Sequence, residues 1–123
     1  MQLGMIGLGR MGGPMTQRLL RGGHDCVVFD ADDARVISAV GHGATGSSSL
    51  DALVALLDAP RIVWLMLPAG AVDATLQSLS PLLQAGDVIV DGGNSHHVDD
   101  IRRAKSFGAR GLHYVDVGVS GGV

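Results

Sequence analysis

Three glycines at fixed spacing carry the first chemistry in this chain. Gly7, Gly9 and Gly12 spell G-x-G-x-x-G within "GLGRMGGPM", directly after the apolar run "QLGMI" and before a helix-like stretch. In that setting the pattern suits a pyrophosphate. Gly7 permits a sharp turn, Gly9 lets the backbone approach the phosphates, and Gly12 lets the helix pack closely on the strand. The free N–H groups and the positive end of the helix dipole then face the anion. Asp30 ends the second apolar run 23 residues after Gly7. A carboxylate there accepts hydrogen bonds from the adenosine ribose and repels a 2′-phosphate, which favours NAD over NADP. Arg10 lies inside the loop, and the next arginine after Asp30 is Arg35, on the following helix, so NADP stays possible. A glycine-rich turn that merely packs tightly is the plainer alternative, and Pro14 in the first helical turn fits both.

A glycine loop does this work only between a strand and a helix. "QLGMI" (Gln2–Ile6), "DCVVFD" (Asp25–Asp30), "RIVWLML" (Arg61–Leu67), "DVIVD" (Asp87–Asp91) and "LHYVDVG" (Leu112–Gly118) read as strands, dense in Val, Ile and Leu. Several are apolar on successive residues, which suits a parallel sheet covered on both faces. A further short strand is weakly signalled at Ala44–Thr45. Helices are expected over Met11–Arg21, Asp32–Val40, Ser48–Leu57, Ala71–Leu83 and Val98–Phe107, with Pro81 breaking the fourth and Ser48 capping the third. The alternation implies a single α/β domain over residues 1–123, a Rossmann-like, doubly wound parallel sheet that binds a dinucleotide.

Composition bounds the rest. With 46% hydrophobic and 17% charged residues the chain is expected to be globular, and a net charge of −3 argues against a general nucleic-acid binder. The longest apolar run, "IVWLMLPAGAV", is too short to cross a bilayer. One cysteine, Cys26, suits a reducing cytoplasm and reads as a small buried residue. There is no glutamate and a single lysine, Lys105, so proton transfer has few candidates. His96 and His97 are adjacent without a second ligand pair, and no metal is expected. His24 and His42 read as exposed turn residues, and Trp64 as core.

Asn94 follows the fifth strand and Ser120 the sixth, at the carboxyl ends where open α/β sheets place ligands. The same residue types also serve as helix caps and ordinary loops. A resemblance adds specificity here. "MIGLGRMGGPMTQRLLRGGHDCVVFD", "VWLMLPAG", "VIVDGGNS" and "VDVGVSGG", in that order, resemble the N-terminal domain of decarboxylating 6-phosphogluconate dehydrogenase, within the β-hydroxyacid dehydrogenases. "DGGNS" discriminates, because hydroxyisobutyrate-type relatives usually carry a Ser-Thr pair there; a domain of that type, or a stand-alone NAD-binding module, is the alternative.

The resemblance implies that Gly7, Leu8, Gly9, Arg10, Met11 and Gly12 cradle the cofactor and that Asp30 binds its ribose. It implies that Leu67, Pro68 and Ala69 line the nucleotide, and that Asn94 touches both cofactor and substrate. Ser120, Gly121 and Gly122 would hold 6-phosphogluconate or a related sugar acid. The implied reaction, in the pentose phosphate pathway, oxidises C3 by hydride transfer and then releases CO₂ to give ribulose 5-phosphate. The family's catalytic lysine and glutamate lie beyond "SGG", so no catalytic residue is expected in this chain. Lys105 precedes that motif and does not inherit the role. A helical catalytic and dimerisation domain, and a homodimer, are expectations for the full-length family.

Overall fold

The apolar runs assemble into one sheet of six parallel strands, five helices and a 3₁₀ turn, in a computed structural model that describes residues 1–92 and 97–117. The strands are β1 (Gln2–Ile6), β2 (Asp25–Phe29), β3 (Thr45–Gly46), β4 (Ile62–Leu65), β5 (Val88–Asp91) and β6 (His113–Asp116). The helices are α1 (Gly12–Arg21), α2 (Asp33–Gly41), α3 (Leu50–Leu56), α4 (Ala69–Leu79) and α5 (His97–Gly108). Each expected element is present, trimmed or shifted at its ends. Pro81 sits in the 3₁₀ turn Ser80–Leu82 that follows α4, so the expected break falls there. The cap of α3 is Ser49 rather than Ser48: its hydroxyl accepts from the Ala52 N–H at 3.1 Å.

The strand order is β3-β2-β1-β4-β5-β6. The chain winds outward from β1 in one direction, then crosses back and winds outward from β4 in the other. β1 and β4 are neighbours, paired from Gly4↔Val63 to Ile6↔Leu65, and the chain reverses direction between them. In open α/β sheets ligands bind beyond the carboxyl ends of the strands at such a reversal.

Alternating side chains divide the core between the two faces. Leu3, Met5, Cys26 and Val28 point to one face, where Met15 and Leu19 of α1 and Ala39 of α2 cover them. Ile6, Val27, Val63, Leu65 and Ile89 point to the other, packed against Leu53 of α3, Val72 and Leu76 of α4, and Phe107 of α5. Val63, Leu65 and Ile89 have no exposed surface, and each such residue contributes about 1.5–3 kcal/mol by leaving water. Cys26 is buried as expected. Trp64 is only half-buried, its indole N–H donating to the Met66 sulfur at 3.0 Å. His24 is also half-buried, where an exposed turn was expected; its N–H donates to the Leu19 carbonyl, which folds the turn back onto α1. No helix among the described residues is long and apolar enough to cross a membrane.

The far ends of β4 and β5 are pinned by a buried acid. Asp87 has no exposed surface, and its carboxylate accepts from the Arg61 N–H at 2.7 Å and the Gln84 N–H at 2.9 Å. The Arg61 guanidinium adds a third donor at 3.3 Å. This cluster lies at the amino ends of β4 and β5, away from the carboxyl ends at the reversal, and serves the scaffold.

Candidate functional site

The turn between β1 and α1 is shaped by two backbone approaches. Gly7 has φ +97°, a conformation that L side chains rarely adopt, and its N–H donates to the Phe29 carbonyl at 3.0 Å. A Cβ on Gly7 would run into the Met66 carbonyl oxygen, so the turn sits wedged between the ends of β2 and β4. Gly12, the first residue of α1, faces Gly7 itself: a Cβ there would run into the Gly7 carbonyl oxygen. Gly9 differs from both. Its Cβ would meet only the Arg35 guanidinium, at 3.4 Å, and otherwise open space.

The helix start behind this loop is left for an anion. Met11 occupies the cap position with no side-chain hydrogen bond, and the first turn carries no acidic residue. The N–H groups of Arg10, Met11 and Gly12 donate to no backbone acceptor among the described residues. Uncapped amides at a helix N-terminus, reached over a glycine without side chain, are what a diphosphate requires.

Asp30 closes the other side of the loop. One carboxylate oxygen accepts from the Leu8 N–H at 2.7 Å, and the other accepts from the Asp32 N–H at 2.8 Å. The side chain is only 10% exposed, so it holds the glycine loop to the β2–α2 connection while each oxygen keeps a further lone pair. Arg35 stands closer than its position on α2 suggested. Its guanidinium lies 3.7 Å from Asp30 and 3.8 Å from Asp32, whose own carboxylate caps α2 by accepting from the Ala34 N–H.

These groups border a cleft of about 630 Å³ at the reversal. Gly7, Gly9, Arg10, Met11, Asp30, Leu67 and Pro68, all named in the sequence reading, line it. Leu8 is buried behind it and contributes through its backbone, and Gly12 supports the turn without lining the cleft. Ala69 opens α4. Asn94, Ser120, Gly121 and Gly122 lie outside the described residues. The sequence reading missed Ile6, Phe29, Ala31, Arg35, Leu50, Met66, Ala71, Thr75 and Gly92, which also line it. Arg35 was legible in part, since three residues from the Asp32 cap is one helical turn.

A buried polar cluster stands directly behind Gly92. Asp91, the last residue of β5, has no exposed surface and accepts from the Tyr114 hydroxyl at 2.7 Å. Arg103 of α5, itself 5% exposed, lies 3.8 Å from the same carboxylate oxygen. Its other nitrogens donate to Asp73 of α4 at 3.1 and 2.7 Å. Burial, and then the Asp91 carboxylate, push the Tyr114 hydroxyl well above its usual range. Burial opposes the charge on Arg103, but hydrogen bonds with Asp73 and Tyr114 outweigh it. The Arg103 hydrogen bond holds the Asp73 carboxyl below the usual carboxylate range.

The cleft's charged lining residues are Arg10, Asp30 and Arg35. Two are guanidiniums and the third is tied to backbone amides, so this arrangement binds and orients. Among the described residues no group of histidine, cysteine and acidic side chains is placed to hold a metal.

Comparison with known proteins points the same way. The family model for the NAD binding domain of 6-phosphogluconate dehydrogenase matches residues 2–123. The NAD(+)-dependent, decarboxylating 6-phosphogluconate dehydrogenase of Haloferax volcanii is 49% identical over 123 residues, covering 99% of this chain and 40% of that protein. The chain thus spans about two-fifths of that relative's length. Among solved structures, Plasmodium falciparum 6-phosphogluconate dehydrogenase superposes with a TM-score of 0.85 at 26% identity, over 93% of this chain and 26% of that one. That enzyme was solved in complex with its cofactor NADP+ and with its substrate 6-phosphogluconate. Mycobacterium tuberculosis 3-hydroxyisobutyrate dehydrogenase superposes with a TM-score of 0.83 at 23% identity, over 94% of this chain and 39% of that one, which shows a shared fold.

Proposed function

We propose a function from one premise: this chain belongs to the family of the NAD-binding domain of 6-phosphogluconate dehydrogenase. Its residues form the dinucleotide-binding part of a cytoplasmic oxidoreductase that converts 6-phosphogluconate to ribulose 5-phosphate and CO₂. The observation that carries this reading is the open space over Gly9, bordered by the uncapped amides of α1. The residues present fit the cofactor. The chemistry that the dinucleotide supplies is hydride acceptance.

The chain's own contribution is binding and orientation. The amides of Arg10 and Met11 hold the diphosphate, and Gly12 seats the turn behind them. Asp30 accepts from the adenosine ribose with the lone pairs left beside its two amide bonds. Leu67, Pro68 and Ala69 shield the nucleotide from water. Asn94 bridges cofactor and sugar acid, and Ser120, Gly121 and Gly122 hold the sugar acid itself. Proton transfer falls to a lysine and a glutamate outside these 123 residues, in a helical domain that also builds a homodimer. By itself the chain binds without turnover.

Asp30 directs the choice toward NAD, because a 2′-phosphate would face its charge. Arg35 tempers that repulsion without reversing it, since its guanidinium is already shared between Asp30 and Asp32. Calorimetric titration of the chain with NAD and with NADP tests both statements. The expected result is tighter binding of NAD. Tighter binding of NADP overturns the role given to Asp30, and binding of neither overturns the cofactor site.

A further inference from the structure

Two walls of the cleft, α4 and the end of β5, share no backbone hydrogen bond among the described residues. α4 supplies Ala71 and Thr75, and the residue after β5 supplies Gly92. Gly92 is closely seated: its N–H donates to the Leu65 carbonyl at 2.9 Å, and a Cβ on it would run into the Trp64 indole nitrogen. There is little room for β5 to shift without moving Met66, which also lines the cleft.

One guanidinium reaches both walls. Arg103 grips Asp73, which lies between Ala71 and Thr75 on α4, through Nε and Nη2 at 3.1 and 2.7 Å. From the same plane Nη1 lies 3.8 Å from Asp91, the residue immediately before Gly92. The Tyr114 hydroxyl of β6 donates to the same carboxylate at 2.7 Å. Asp73, Asp91, Arg103 and Tyr114 are all absent from the cleft lining. The planar guanidinium hydrogen-bonds Asp73 on one side while its charge faces Asp91 on the other, a reach and orientation that a single ammonium does not reproduce.

We propose that Arg103 is a positioning residue for the cofactor cleft, clamping α4 to the end of β5 through Asp73 and Asp91 so that Gly92 and the α4 wall keep the spacing a dinucleotide needs. This rests on the cofactor reading above. Its cost in desolvated charge is otherwise hard to account for, since buried ion pairs add little net stability compared with apolar packing.

The experiment compares the wild-type chain with Asp73→Asn, Arg103→Lys and Arg103→Leu, measuring NAD affinity by calorimetry and thermal unfolding by circular dichroism. Asp73 is 55% exposed, so Asp73→Asn keeps the fold even where Arg103→Leu does not. Affinities are read below the unfolding transition of each variant. The expected result is a loss of about three- to tenfold in NAD affinity for Asp73→Asn, and a loss for Arg103→Lys that is smaller than for any folded Arg103→Leu. Variants that unfold at lower temperature yet bind NAD as the wild type does assign the cluster to stability alone and overturn the proposal. A wild-type chain that binds no NAD overturns the cofactor reading instead, before any variant is compared.

Discussion

Gly9 and Gly12 belong to one motif, but the structure gives them opposite sensitivities. At Gly9 an added methyl meets only the Arg35 guanidinium at 3.4 Å, the far end of a half-exposed flexible side chain. The backbone there needs no left-handed conformation. Gly9→Ala should therefore leave stability unchanged or raise it by about 0.4–1 kcal/mol, because the unfolded chain loses freedom. The same methyl projects into the space that the diphosphate would cross. We expect NAD affinity to fall by about 100-fold or more, roughly 2.8 kcal/mol, and Gly9→Val to abolish binding. At Gly12 the methyl meets the Gly7 carbonyl, and a rigid turn has nothing to move aside. Gly12→Ala should cost about 1–3 kcal/mol or more, as overpacking does. For a domain of this size that lowers the unfolding temperature by roughly 3–15 °C. Thermal unfolding followed by circular dichroism, with calorimetric NAD titration of each variant, reads both effects. If Gly9→Val binds NAD like the wild type, the placement of the diphosphate is wrong. If Gly9→Ala and Gly12→Ala destabilise equally, the division of labour within the motif is wrong.

Two further predictions concern the scaffold. Asp87→Ala removes the acceptor for two backbone N–H groups and leaves the Arg61 guanidinium, 19% exposed, without its carboxylate. Urea unfolding should show a loss of about 3 kcal/mol, and a loss below about 1 kcal/mol would contradict the account of Asp87. Burial, aided by the charge of Asp25, raises the Cys26 thiol above its reference value of 9.0. The folded state then keeps a proton that the unfolded chain releases. This contribution is whole below the unfolded value and is lost as pH rises through the raised folded one. Stability should fall above about pH 9, and Cys26→Ala should flatten part of that slope; an unchanged slope would count against the buried neutral thiol.

Much of this was legible in the residues. Successive apolar side chains gave the strands, because a sheet covered on both faces needs no alternation. The glycine motif marked where the chain turns into α1, since few other residues tolerate φ +97° or so close a carbonyl. What could not be read were contacts between segments distant in sequence. Arg35 looked remote because its approach to Gly9 depends on how α2 lies against the sheet. Asp87 was read only as the first residue of a strand, and its burial arises only when β4 and β5 pair. Ser48 and Ser49 were equivalent as letters; only the register of the helix places the second hydroxyl within reach of the Ala52 N–H.

Asp30 also restricts how this chain can change its cofactor. Its two oxygens hold separate amides, at Leu8 and Asp32, while in the proposed complex its charge would bear on the ribose. Replacement by Asn removes the charge but turns an amide donor toward one of those N–H groups. Replacement by Ser or Ala loses at least one of the two acceptors. Any mutational path toward a phosphorylated cofactor must therefore first cross a loss in loop stability. A lineage with stability in reserve could take that step, and a marginal one could not.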